Sequence, residues 1–196
     1  MAKLYFKYGA MGSSKTANAL ITKFNYEERG MKVWLIKPST DVRDGVSTVR
    51  SRIGLSAEAY TVTPEKDLFE EFLAQDCRDV VIADECQFLT AGQIDDLRRI
   101  VNELDVPVLC FGLRTDFLTH MFEGSRRLFE VADSITEIKT ICKCGKKAIV
   151  NARIDGEGKV LTRGGQILLG GNDAYVAMCH SCWVKAIKDQ AEGDVK

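Results

Sequence analysis

Gly9-Ala10-Met11-Gly12-Ser13-Ser14-Lys15-Thr16 follows an aromatic-rich run at 3–8 (Lys-Leu-Tyr-Phe-Lys-Tyr) and precedes a helical pattern over 15–28 that stops at Gly30. Strand, small-residue turn and helix in that order match the phosphate-binding loop, Gly-x-x-x-x-Gly-Lys-Ser/Thr, at every position but the second glycine, which is Ser14. Small residues let consecutive backbone N–H groups curl around phosphate oxygens, and the helix start adds its positive dipole end. Lys15 is then the group that reaches the outer phosphates, and the Thr16 hydroxyl the one that meets Mg²⁺. Ser14 is the smallest polar substitute for glycine, and a non-glycine residue there need not have positive φ.

Working outward, 32–37 (Lys-Val-Trp-Leu-Ile-Lys) reads as a second strand and 39–57 as a long, polar, mobile loop. A short strand is expected at 59–62. Pro64 opens a helix over 65–75. The apolar runs 79–83 and 106–111 read as buried strands, and 91–104 carries Ile94, Leu97, Ile100, Val101 and Leu104 at helical spacing. Strands apolar on both faces, alternating with amphipathic helices, imply a parallel sheet flanked by helices, an α/β fold. Near Lys139 the character changes to glycine-rich, short-stranded sequence. The expected organisation is a nucleotide-binding α/β domain at 1–139 and a small β-rich lobe at 140–196.

The run Val80-Val-Ile-Ala-Asp84-Glu85 is a hydrophobic strand ending in acid, the Walker-B arrangement, with Asp84 placed to hold Mg²⁺ and Glu85 placed as a general base. Paired acids often only cap a strand end. Downstream of a phosphate loop in the same predicted sheet, they point to ATP hydrolysis or phosphoryl transfer. Arg52, in the polar loop, is a candidate to cover the phosphates, with a solvated loop charge as the alternative reading.

Seven cysteines stand in the 196 residues. Cys77, Cys86 and Cys110 are isolated and read as small buried hydrophobes. Cys142-Lys-Cys144 and Cys179-His-Ser-Cys182 form two tight knuckles whose four sulfurs suit tetrahedral structural zinc. Redox chemistry and unliganded thiols are the competing readings, and His180 is a substitute ligand of less suitable spacing. Such a metal would pin a lobe too small to build its own core. The 27 basic and 28 acidic side chains give a net charge of −1, which argues against a protein whose task is to hold nucleic acid. No run approaches a membrane span and the start lacks signal-peptide features, so the cytoplasm is the expected address, with neither nucleic acid nor membrane as partner.

These motifs, taken in order, resemble the cellular-type (type II) thymidine kinases. The resemblance covers nearly the whole chain: the phosphate loop with its embedded Met11, Asp84-Glu85-Cys-Gln87-Phe88-Leu, Phe111-Gly-Leu-Arg-Thr-Asp-Phe117, Lys139-Thr-Ile-Cys142-Lys-Cys144-Gly, and Gln166-Ile-Leu-Leu-Gly170-Gly-Asn-Asp-Ala-Tyr175 leading to Cys179. It implies a P-loop, RecA-like sheet with a zinc-binding lobe carrying a lasso loop. It further implies transfer of the ATP γ-phosphate to the 5′-hydroxyl of thymidine or deoxyuridine, with Glu85 as catalytic base. Gly9, Ala10, Met11, Gly12, Ser13, Ser14, Lys15, Thr16 and Asp84 would hold ATP and Mg²⁺. Gln87, grouped with these ATP-side residues, falls with Phe88 where the family lines the nucleoside site. Phe117 and Phe122 fall where rings flank the base, a task suited to aromatic faces. Gln166, Ile167, Leu168, Leu169 and Gly170 would read the base edge through backbone groups, with Tyr175 adding a side chain, and Cys142, Cys144, Cys179 and Cys182 would hold Zn²⁺. Homotetramers restrained by thymidine triphosphate are the family's habit. Two departures stand out: Ser14, and Asn151, which falls where relatives place a Thr or apolar residue near the thymine methyl, or else faces solvent. A P-loop ATPase gripping nucleic acid through the cysteine lobe, and a non-catalytic zinc-ribbon module, are the alternatives on the residues alone.

Overall fold

A computed structural model describes residues 1–41, 45–76, 79–166 and 174–193. Its centre is a six-stranded, all-parallel sheet. In spatial order the strands are β5 (Tyr60–Val62), β2 (Val33–Pro38), β6 (Val80–Ala83), β7 (Val108–Gly112), β1 (Leu4–Tyr8) and β8 (Ser134–Glu137). Every residue of β6 and β7 is buried, as the uninterrupted apolar runs require of strands covered on both faces. On one face, Leu4, Phe6, Trp34, Ile36, Val81 and Ala83 pack against the apolar stripe of α3 (Ala91–Leu104) and against α2 (Leu68–Leu73). On the other, Leu35, Val80, Ile82, Leu109 and Phe111 meet Ala19 and Leu20 of α1 (Lys15–Glu27).

Local chemistry sets the helix starts. Thr90 caps α3 through a reciprocal box with Gln93, whose amide also donates to Thr63 O at 2.8 Å. α2 begins at Leu68 rather than after Pro64, because the Asp67 carboxylate accepts from Phe69 N and Glu70 N and fixes the cap there. The polar stretch expected as a mobile loop instead holds a hairpin, β3 (Thr48–Arg50) with β4 (Ser56–Glu58). Val49, only 2% exposed, anchors it in the core beside α1. Arg52 is exposed at the hairpin turn, which Ser51 closes by accepting from Leu55 N, so its placement fits a solvated charge.

Two elements of the α/β part went unpredicted, α4 (Glu123–Val131) and the edge strand β8. Past β8 come two short antiparallel pairs, β9 (Thr140–Ile141) with β10 (Lys147–Ala148) and β11 (Val150–Arg153) with β12 (Tyr175–Met178). The described part of the lobe then ends in a 14-residue helix, α5 (His180–Gly193), so it is less purely β than the glycine content suggested. Among the described residues no helix is long and apolar enough to cross a membrane.

Candidate active site

The phosphate loop leaves the carboxyl end of β1, and Asp84 leaves the carboxyl end of β6, with β7 between them. Two strand spacings amount to about 10 Å. The first turn of α1 closes that distance: Thr16 donates its hydroxyl to the Asp84 carboxyl. Asp84 is 3% exposed, and its N–H bonds Ile36 O of β2 at 3.0 Å. Burial, with Glu85 beside it, pushes the Asp84 carboxyl up to about 7, against the pull of Thr16, the Glu85 backbone and Lys15. An acid held so reluctantly charged suits a cation as its partner.

Gly9 is where the chain cannot carry a side chain: a Cβ would lie 2.3 Å from Ile138 O and 2.4 Å from Ser13 Oγ. Lys15 Nζ lies across the loop, 3.0 Å from Ala10 O and 3.4 Å from Ser13 Oγ. Ser14 caps α1 with φ 61° and makes no side-chain cap bond. Positive φ, which the serine was not expected to require, is what the structure has here. The turn from loop into helix demands a left-handed residue whatever its identity, which is why glycine is the pattern's choice.

Glu85 is also left-handed, at φ 50°, opening the 3-10 turn Cys86–Phe88. Its carboxylate accepts from Gln87 Nε2 at 2.5 Å, and Gln87 Oε1 accepts from Leu113 N at 2.9 Å. Gln87 lies so close to β7 that a Cβ on Gly112 would be 2.6 Å from its Oε1. Gln87, expected among the ATP-side residues, is thus the clamp on the Glu85 carboxylate. Phe88 is half-buried, with the Phe122 ring edge-on at 5.5 Å. Phe122 and Phe117 are both buried, but Phe117 has a different neighbour: the Arg153 guanidinium stands 3.9 Å over its ring.

β11 carries one residue that the sequence reading singled out, Asn151, and one that it missed, Arg153. Asn151 and Arg153, two apart and so on one strand face, are 2% and 5% exposed. Asn151 Oδ1 accepts from Met11 N of the phosphate loop at 2.8 Å, and its Nδ2 donates to Thr115 O at 2.8 Å. Both amide ends are consumed by backbone, so this side chain does not face solvent. Arg153 donates to Tyr175 Oη from Nε (2.9 Å) and Nη2 (2.6 Å), to Gly165 O from Nη1 (2.9 Å) and to Gln166 O from Nη2 (3.2 Å). Gln166 Nε2 in turn donates to Asp116 Oδ2 at 3.1 Å. A polar pair at i and i+2 within Ala148–Ile154 was the available signal. Ile167, Leu168, Leu169 and Gly170 lie outside the described residues, as does Cys77.

The four paired cysteines converge: their sulfurs lie within 4.8 Å of one another, with Cys144 Sγ and Cys179 Sγ 3.6 Å apart. Sulfurs 2.3 Å from a common tetrahedral centre stand about 3.8 Å apart, so the set fits zinc. Four thiols this close cannot all ionise without a cation among them. The N–H groups of Cys144 and Cys179 draw Cys142 down to about 6, whereas Cys182, donating to its neighbours' sulfurs, is pushed up to about 12. Cys86 and Cys110 are fully buried in the α/β core and burial drives the Cys86 thiol upward, as packing residues should behave.

A phosphate loop meeting an acid-ended strand, with a second carboxylate held beside it and a four-cysteine lobe bonded to the loop, defines a P-loop phosphotransferase with an accessory lobe whose cysteines could hold a metal. The thymidine kinase family model matches residues 2–183. A thymidine kinase of Vibrio vulnificus is 44% identical over 190 residues, covering 95% of this chain and 99% of the relative. Those of Yersinia pseudotuberculosis and of Enterobacteria phage T4 are each 44% identical, over 192 and 191 residues, covering 96% of this chain and 97% and 98% of theirs. The chain belongs to the thymidine kinase family.

Proposed function

We propose that the chain transfers the ATP γ-phosphate to the 5′-hydroxyl of thymidine, and of deoxyuridine, in pyrimidine salvage. The observation that carries this is the contact of Thr16 with Asp84 while Glu85, the very next residue, is turned by its left-handed backbone onto Gln87. This arrangement supports a reading in which Asp84 serves the cation and Glu85 takes the proton.

Residues 9–16 wrap the triphosphate in backbone N–H groups, and Lys15 moves from loop acceptors to phosphate oxygens. Thr16 and Asp84 would hold Mg²⁺, which supplies positive charge to the transferring phosphoryl group. Glu85, fixed by Gln87, accepts the 5′-hydroxyl proton as the oxygen attacks. Phe88, Phe117 and Phe122 form the apolar wall for the base, while Gln166–Gly170 and Tyr175 read its polar edge. Cys142, Cys144, Cys179 and Cys182 would hold Zn²⁺, which would pin the small lobe at 140–196 beside the nucleotide-binding part at 1–139. The family match favours a nucleoside acceptor over the ATPase alternative. In the same reading the enzyme is a cytoplasmic homotetramer restrained by thymidine triphosphate. Incubation with γ-labelled ATP and a panel of nucleosides tests the reaction: label in thymidine monophosphate is expected. Release of free phosphate with no labelled nucleotide would refute it.

A further inference from the structure

We infer that Arg153 is a positioning residue of the nucleoside site, a clamp that holds Gly165, Gln166, Tyr175 and the Phe117 ring in one arrangement. The inference rests on the reading of Phe117, Gln166 and Tyr175 as nucleoside-site residues. Arg153 and Tyr175 are directly opposite in the β11–β12 pair, so the guanidinium and the phenol meet across the strands. From that position one side chain bonds the carbonyls of Gly165 and Gln166, before the segment 167–173, and the hydroxyl of Tyr175, after it. Only a planar fork of donors can bridge three acceptors in fixed directions; an ammonium on a flexible stem cannot.

The same group stacks on Phe117. It covers one face of that ring, so a single residue sets the buried ring together with Gly165, Gln166 and Tyr175. Gly164 is packed into this corner, where a Cβ would lie 3.3 Å from Arg153 Nη1 and 3.9 Å from Phe117 Cζ. The polarity of Tyr175 follows as well. Its oxygen already faces two donors from Arg153, so the phenol offers a nucleoside its own O–H. Its partner on the ligand is then an acceptor, a carbonyl of the base or a sugar oxygen. Among the described residues no carboxylate pairs with Arg153; neutral acceptors and a ring face satisfy this buried cation instead. Truncating it therefore leaves no buried anion behind, and the loss should fall on the nucleoside side alone.

Steady-state kinetics test this with R153K, R153A and F117L, alongside melting curves. R153K is expected to raise the thymidine KM by about tenfold or more, the cost of losing charge-assisted bonds. Its ATP KM is expected to stay within about twofold of wild type. Ethylguanidinium added to R153A should lower the thymidine KM again, which a purely structural defect would not show; if R153A does not fold, R153K alone decides. An R153K thymidine KM within about twofold of wild type, or thymidine and ATP KM values rising in parallel with a lowered Tm, overturns the clamp. F117L separates the two levels of inference. If it raises the thymidine KM while R153K does not, only the clamp falls; if it has no effect, the nucleoside-site reading falls and takes the clamp with it.

Discussion

Replacing Ser14 by Gly should stabilise the protein, and the size of the gain can be worked from the backbone. Ser14 sits at φ 61°, ψ 30°, is exposed, and its side chain makes no cap bond to α1. A left-handed L-residue costs about 1–2 kcal/mol, nearly all of which glycine avoids. Against this, glycine enlarges the conformational freedom of the unfolded chain by about 0.4–1 kcal/mol. The net gain is about 0.5–1 kcal/mol, or a Tm increase of about 1–4 °C for a chain of this length. The bonds from Asn18 to Ser14 O involve only the backbone carbonyl and survive the change. Because serine already adopts the turn that the loop needs, the ATP KM should move by less than about twofold. Scanning calorimetry on the ligand-free protein, with ATP titrated in kinetics, checks both halves. An unchanged or lowered Tm would refute the reasoning, since it would mean that the loop does not hold Ser14 left-handed or that the hydroxyl makes a stabilising contact.

Glu85→Gln should lower kcat by about 10²–10⁴-fold while leaving ATP affinity nearly intact, as expected for loss of a general base; equilibrium binding and turnover measured on one preparation decide it. For Asp84→Asn the expectation is inactivity with a gain in metal-free stability above neutral pH. The folded pKa of about 7 lies above the unfolded value near 4, so the folded wild type holds an extra proton between those values and loses stability as pH rises through them. Urea melts of wild type and variant at pH 5 and pH 8 without magnesium should therefore diverge at the higher pH, and parallel curves would contradict the assignment. Stripping zinc with a chelator should expose residues 140–193 to protease while α1 and the six-stranded sheet stay protected. Asn151→Leu, which removes the bonds to Met11 N and Thr115 O, should raise the ATP KM more than a control substitution at exposed Arg52 does.

The sheet was legible because its strands are buried on both faces, and Val80–Ala83 and Val108–Gly112 can hardly be read as anything else. The phosphate loop and Asp84-Glu85 were legible because their chemistry needs particular residue types in consecutive positions. β8 was not, because an edge strand with pattern Ser134-Ile-Thr-Glu137 alternates like a loop and is fixed only by its parallel register with Tyr5–Tyr8. The β3–β4 hairpin was hidden for a related reason, a single buried Val49 in a polar stretch. Arg153 was missed, and Asn151 was noticed without its role, because their partners, Met11, Thr115, Phe117 and Tyr175, are distant in sequence. Local pattern marks such residues as polar within an apolar run, but only the fold says what they bond.

Adjacent acids cannot normally divide labour, since in a continuing strand they would only point to opposite faces. Here the strand ends between them. Asp84 keeps its sheet bond to Ile36 O and stays at the strand end, where Thr16 reaches it. Glu85 leaves the sheet through a left-handed residue that costs about 1–2 kcal/mol, and the cost is sustained because Gln87, Leu113 and Gly112 fix the carboxylate at the end of that turn. In the proposed mechanism, the strained backbone at Glu85 is therefore what would set a proton acceptor next to a cation ligand without letting them share one role. Any residue at position 85 that relaxed to φ below zero would swing its side chain off Gln87, even if it kept a carboxylate.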